Sequence, residues 1–204
     1  MKIYNFVKCS FVDYPGKIAA VLFTRGCNIH CRYCHNAHIL QYDGPCNTTE
    51  KEVMDYLQKR SGLLQGVVVT GGEPTIQPDI LPFLAKLRGL TTYNIKLDTN
   101  GLRPDVLKKA IDGKLVDFVA MDIKAPKDKY ERITQVPFNE SKIQSSINII
   151  QASGLPHQFR TTYDKRYLTD ADILRIREWI MDDANYVVNE CILRDKNGNP
   201  IEYA

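Results

Sequence analysis

Cys27, Cys31 and Cys34 stand in one short loop, Cys27-Asn28-Ile29-His30-Cys31-Arg32-Tyr33-Cys34, spaced C-x₃-C-x₂-C. Soft thiolates at that spacing let a single turn wrap a cubic iron–sulfur cluster, and three protein ligands for four irons leave one iron open to chemistry. Ferredoxin loops supply all four cysteines and serve electron transfer, so the missing fourth ligand is informative. Zinc is the competing reading, because His30, His35 and His38 lie close by and zinc accepts thiolate and imidazole alike. A structural zinc finger would carry a second cysteine pair at matching spacing, and the sequence has none. Cys9, Cys46 and Cys191 are isolated from one another and are expected to be buried or half-buried thiols rather than ligands.

Other polar groups cluster in short phrases. Gly71-Gly72-Glu73-Pro74 combines two residues that free the backbone to approach a ligand, a carboxylate, and a proline that stiffens the exit of the turn. Taken alone it also reads as a tight strand-to-helix connection. Asp98 and Asp122, with the Thr99 hydroxyl, offer hard oxygen ligands that suit an alkali or alkaline-earth cation, or they bond loop amides. Lys124 has the charge to pair with a substrate carboxylate, or it is a solvated surface lysine.

The elements that must position these groups alternate between β-branched runs and helical patterns, which predicts repeated βα units and a parallel sheet. Strands are expected at 18–23, 66–70, 94–99, 118–123, 158–162 and 186–189. Thr49 to Glu52 reads as a capping box, with Val53, Tyr56 and Leu57 following at helical spacing. A helix over 78–88 should bury Ile80, Leu81, Leu84 and Leu87. Pro104 opens the next helix, Ile143, Ile147 and Ile150 mark another ending near Gly154, and a last helix at 170–181 carries Trp179. Ligands of such sheets gather at the carboxyl ends of the strands. The cysteine loop, Gly71–Pro74, Asp98–Gly101 and Asp122–Lys124 all follow strands, so four loops are expected at one mouth.

Composition narrows the class. The 204 residues predict one domain, large enough to bury a core of its own. Hydrophobic and charged fractions of 44% and 25% are those of a globular protein. A net charge of +3 argues against nucleic acid or an anionic membrane as partner. The first residues lack a hydrophobic signal core, no run has the length of a bilayer span, and six cysteines make no disulfide scaffold, so a reducing, cytoplasmic setting is expected.

Cys27-x₃-Cys31-x₂-Cys34 followed by His35-Asn36, with Gly71-Gly72-Glu73-Pro74 downstream, resembles the radical S-adenosylmethionine (SAM) superfamily. Val12-Asp13-Tyr14-Pro15-Gly16-Lys17, Leu97-Asp98-Thr99-Asn100-Gly101, Ala120 to Pro126 and Phe159-Arg160-Thr161-Thr162 are similar to the glycyl-radical-enzyme activases, above all those of anaerobic ribonucleoside-triphosphate reductase. The resemblance covers a core of about 11–188 within a single domain over 1–204, leaves 189–204 as a divergent tail, and implies a partial (β/α)6 TIM-like barrel with the cluster at its C-terminal mouth. It implies that Cys27, Cys31 and Cys34 hold a [4Fe–4S] cluster whose fourth iron is chelated by S-adenosylmethionine. Gly72 and Glu73 would meet the methionine amino group, Tyr33 and His35 the adenine, and Asp122 and Lys124 the ribose or carboxylate. Asp98, Thr99 and Asp122 match positions that hold a monovalent cation in pyruvate formate-lyase activases, and Asp13 lies where activases receive the target glycine loop.

The implied reaction is reductive cleavage of S-adenosylmethionine, with an electron from flavodoxin or ferredoxin. A 5′-deoxyadenosyl radical then abstracts hydrogen from a glycine of a partner glycyl-radical enzyme. Two alternatives compete: a radical enzyme acting on a small molecule or peptide, as a deazaguanine-type synthase does, and a non-enzymatic metal-binding regulator. The phrase from Glu190 to Pro200 departs from the family, Asn189 stands where relatives often carry a polar cofactor contact, and Asn197-Gly198 predicts a local turn.

Overall fold

The computed structural model describes residues 1–90 and 93–191. One sheet holds seven strands in chain order: β1 (Ile3–Tyr14), β2 (Lys17–Thr24), β3 (Gly66–Gly71), β4 (Asn94–Thr99), β5 (Phe118–Asp122), β6 (His157–Tyr163) and β7 (Tyr186–Glu190). β2 to β7 pair in parallel, and β1 joins β2 antiparallel. Helices α1 (Glu50–Lys59), α2 (Ile80–Leu90), α3 (Pro104–Asp112), α4 (Tyr130–Thr134), α5 (Glu140–Ala152) and α6 (Asp170–Ile180) lie in the crossovers. The sheet curls into a half-barrel whose edges, among the described residues, are β1 and β7. No described helix is long and apolar enough to cross a membrane.

Alternation along the strands sorts side chains onto two faces. Ala20, Leu22, Val67, Val69, Ile95, Leu97, Val119 and Met121 face the helices and are buried with Val53, Phe83, Leu84, Leu107, Ile143 and Ile147. Each such aliphatic side chain contributes roughly 1.5–3 kcal/mol on burial. The residues between them, Ala19, Val21, Val68, Phe118 and Ala120, build a smaller apolar floor on the concave face. Tyr14 closes that floor, its ring meeting Phe118 edge-on at 5.6 Å. Lys96 and Asp98 of β4 share the concave side, so the face turns from apolar to charged toward the strand ends.

Six strands and the Thr49–Glu52 capping box lie where the pattern predicts them. β1 escapes it. Only Ile3, Ser10 and Tyr14 of its twelve residues are buried, and its pairing with β2 is interrupted by three register shifts, so no alternation survives at this edge. The parallel sheet therefore carries one antiparallel edge strand. In α2, Phe83 rather than Leu81 completes the buried stripe, because Ile80, Phe83, Leu84 and Leu87 follow the i, i+3, i+4, i+7 spacing. α6 stops at Ile180, and Met181 caps it with a left-handed φ of 54°. Cys9 and Cys46 are exposed, contrary to expectation, and only Cys191 is buried. Asn189 is exposed at the end of β7, and the turn expected at Asn197-Gly198 lies outside the described residues.

Candidate active site

The cysteine loop leaves β2 through Gly26, whose φ of 90° suits glycine. Backbone bonds hold it on two sides. Gly26 and Cys27 donate to the carbonyls of Ile39 and Leu40 at 2.8 and 3.1 Å, while His30 and Arg32 donate to Thr134 and Ile133 at 2.8 and 3.1 Å. Ile133 and Thr134 end α4, where a helix leaves carbonyls without partners of its own, so the loop amides and the helix end satisfy each other. Gln135, left-handed at φ 58°, adds a side-chain bond to the His30 carbonyl at 2.8 Å. Sequence reasoning missed α4, since five residues are too few for a periodicity, and only the Tyr130/Ile133 spacing hints at it.

The four strand-end loops meet in one cavity lined by Cys27, Cys31, Cys34, Gly72, Glu73, Asp98, Asn100, Asp122 and Lys124. Burial pushes the Cys27 thiol up to about 12, with the Glu73 charge adding to it, and burial also raises Cys31. Protons must therefore leave as metal binds. Lys124 lowers both thiols and favours the thiolates. Cys27, Cys31 and Cys34, all half-buried, line this one cavity, an arrangement that suits a multi-iron cluster.

Gly71 and Gly72 serve backbone packing first. The Gly72 and Glu73 amides donate to the carbonyls of Thr24 and Gly26 at 2.9 and 2.8 Å, which fastens the end of β3 to the start of the cysteine loop. Glu73 is 1% exposed. Its Oε1 accepts from the Thr75 amide at 3.0 Å, from the Thr75 hydroxyl, and from Thr99 Oγ1 at 2.8 Å, while Oε2 accepts from the Asn100 amide at 2.6 Å. Burial pushes its carboxyl above the usual range, and these donors oppose the shift. Glu73 is thus a strut between β3 and β4, with acceptor capacity left on Oε2.

On the concave face, opposite charges pair within β4 and across β4, β5 and β6. Lys96, 2% exposed, lies 2.8 Å from Asp98 Oδ1. Arg160 spans Asp98 and Asp122 at 3.2 and 2.9 Å, and Lys124 meets Asp122 at 2.9 Å. Burial alone would favour a neutral Lys124, but the charge and hydrogen bond of Asp122, together with Cys31 and Tyr33, offset it and keep the ammonium. Two buried phenols clamp the same residue: Tyr33 donates to the Lys124 carbonyl at 2.9 Å, and the Lys124 amide donates to Tyr130 at 3.5 Å. Arg160 and Lys96 received no role from sequence, although Phe159-Arg160-Thr161-Thr162 was a recognisable phrase.

Asp122 yields a pH prediction. Burial favours its neutral acid, but Lys124 and Arg160 prevail and hold the carboxyl at about 2, below the ordinary 3.8. A depressed value stabilises the fold above the unfolded pKa and is lost as pH falls through the folded one. At 1.36 kcal/mol per unit the contribution is roughly 2 kcal/mol. Asp122→Asn should be less stable by at least that amount at neutral pH, and the gap to the native chain should close between about pH 4 and pH 2. Urea unfolding across that range checks it; a gap independent of pH would remove the charge account.

Other sequence-predicted residues are placed as follows. Asp98, Thr99 and Asp122 line the same cavity, with the Thr99 hydroxyl engaged by Glu73. Between the two carboxylates stands Arg160. His35 is exposed at the cavity rim, with Nε2 at 3.6 Å from Cys191 Sγ, which brings a cysteine expected to be isolated beside the loop. Asp13 is not among the lining residues: its carboxylate accepts from Ser10 Oγ at 2.5 Å and its carbonyl from Lys96 Nζ at 2.7 Å.

A half-barrel that gathers three cysteines, a Gly-Gly-Glu-Pro turn and charged strand ends at one mouth defines a radical SAM enzyme. Residues 21–180 match the radical SAM superfamily, and the chain belongs to it, among the glycyl-radical-enzyme activating enzymes. A Methanocaldococcus jannaschii protein named as a glycyl-radical enzyme activating enzyme, MJ1227, is 30% identical over 92% of this chain and 79% of its own length. Pyruvate formate-lyase-activating enzyme of Clostridium pasteurianum is 32% identical over 65% of this chain and 57% of its own. The fold resembles native anSMEcpe with bound AdoMet and Cp18Cys peptide at a TM-score of 0.63 and 16% identity, over 84% of this chain and 51% of the other. Enzymes of this family use a [4Fe–4S] cluster and S-adenosylmethionine.

Proposed function

We propose that the chain activates a glycyl-radical enzyme by taking a hydrogen atom from a glycine α-carbon, with anaerobic ribonucleoside-triphosphate reductase as the partner. The observation that carries the activase reading is the gathering of Cys27, Cys31 and Cys34 with Glu73, Asp122 and Lys124 in one cavity of a half-barrel. Among the described residues the sheet ends at β1 and β7 without closing, which suits a peptide loop entering from the side. The phrases around Asp13, Asp98 and Asp122 favour the reductase as partner, and flavodoxin or ferredoxin is the expected electron donor.

When bound, cluster and cofactor supply a carbon radical strong enough for this abstraction. The chain's own residues bind and orient. Cys27, Cys31 and Cys34 give up their protons to hold the irons, and Lys124, kept charged by Asp122, meets the methionine carboxylate or ribose. Glu73 and Gly72 receive the amino group, and Tyr33 and His35 flank the adenine. A monovalent cation at Asp98 and Asp122 would compete with Arg160 for the same carboxylates. Asp13, tied through its carbonyl and Lys96 to Asp98, belongs to the glycine-loop side.

Anaerobic reconstitution tests the reading. About four irons per chain and 5′-deoxyadenosine after dithionite reduction are expected, and with the purified reductase a glycyl-radical EPR doublet. Cleavage without a radical on the reductase removes the partner assignment. A loaded cluster that cleaves no cofactor with the partner present removes the activase reading. Asp13→Asn should lower partner activation about tenfold beyond any loss of uncoupled cleavage, which is about 1.4 kcal/mol of transition-state stabilisation. Equal losses in the two assays would detach Asp13 from the glycine loop.

A further inference from the structure

Asn100 joins the end of β4 to the cysteine loop, and nothing so far assigns it chemistry. It is 5% exposed. Its main-chain N–H donates to Glu73 Oε2 at 2.6 Å, and its side-chain oxygen accepts from the Leu102 amide at 3.1 Å. A backbone amide is a donor only, so Oδ1 must face Leu102 and the side-chain NH₂ must face the loop. There Nδ2 lies 2.7 Å from Asn28 Oδ1 and 3.9 Å from Cys27 Sγ, one hydrogen for each acceptor. The buried Glu73 carboxylate is thereby tied to the same residue that faces Cys27.

We propose that Asn100 is a positioning residue that donates a hydrogen bond to the Cys27 sulfur of the cluster and raises its reduction potential. The proposal rests on the cluster assignment of the three cysteines. Reduction adds negative charge to the iron–thiolate unit, and a donor on sulfur stabilises the more negative state. Asn28 shares the amide and fixes the direction of the second hydrogen.

The test is an EPR-monitored redox titration of the reconstituted full chain without S-adenosylmethionine. Asn100→Ala should retain about four irons yet titrate at a more negative midpoint. At the native midpoint its reduced-to-oxidised ratio should be about tenfold lower, which is 59 mV for one electron. Asn28→Ala keeps the donor and removes the competing acceptor, so its midpoint should stay or rise. An unchanged midpoint in iron-replete Asn100→Ala overturns the proposal. So does an Asn28→Ala midpoint that falls as far, since loop geometry would then account for both.

A second measurement needs no Asn100 variant. With ¹⁵N only in asparagine side chains, the reduced native and Asn28→Ala clusters should both show ¹⁵N hyperfine coupling, and its absence also overturns the assignment. A native chain that takes up no iron would remove the cluster reading itself and this proposal with it.

Discussion

Cys31→Ala should fold normally, retain no four-iron cluster and form no 5′-deoxyadenosine. The contrast between fold and function is built into the loop. Its path is set by backbone bonds, His30 to Thr134, Arg32 to Ile133 and Cys34 to the Cys31 carbonyl, none of which uses the thiol. Truncating a partly buried sulfur should cost about 1 kcal/mol, a small change beside the complete loss of a metal ligand. Iron analysis, circular dichroism and product assay on one preparation separate the effects. Normal cofactor cleavage in this variant would remove Cys31 from the cluster.

Gly72→Ala should fail for the opposite reason, because it strikes the scaffold before the chemistry. A β-carbon at Gly72 would lie 2.0 Å from the Gly26 carbonyl oxygen and 2.7 Å from its carbon. Both contacts are backbone, so no rotamer change relieves them, and the Gly72–Thr24 and Glu73–Gly26 hydrogen bonds must open instead. Overpacking of this kind costs about 1–3 kcal/mol, and losing two buried backbone bonds adds about 1 kcal/mol each. The metal-free chain should therefore unfold in urea at a clearly lower midpoint, with iron uptake reduced because Gly26 opens the cysteine loop. An unchanged midpoint would mean that the close approach is absent, leaving Gly72 only the role proposed for it toward the cofactor.

The glycine pair illustrates a wider point about this mouth. A reading from residue types has Gly71 and Gly72 clearing space for a ligand, whereas the backbone they clear space for is the chain's own. Glu73 likewise spends most of its acceptors on Thr75, Thr99 and Asn100. Asp98 and Asp122, which look like cation ligands, are bridged by Arg160, reaching from β6 across β5 to β4. Each of these residues is rigidly placed before any cofactor arrives, which lowers the reorganisation that binding requires.

The sequence by itself determined what is local. Three cysteines within eight residues carry their spacing with them, and apolar periodicity located six strands and the main helices, because each reports geometry within a turn or a pleat. Parallel βα order then placed four polar loops at one mouth. Tertiary structure alone decided what depends on register between distant segments: β1 as an antiparallel edge, α4 as the support of the cysteine loop, Arg160 between two carboxylates, Asn100 against Cys27. The Asn100–Cys27 contact joins positions 73 apart, and such contacts follow from which strands are neighbours and which residues stand level. A one-residue slip would turn every one of those side chains to the other face, and no short window of sequence records that choice.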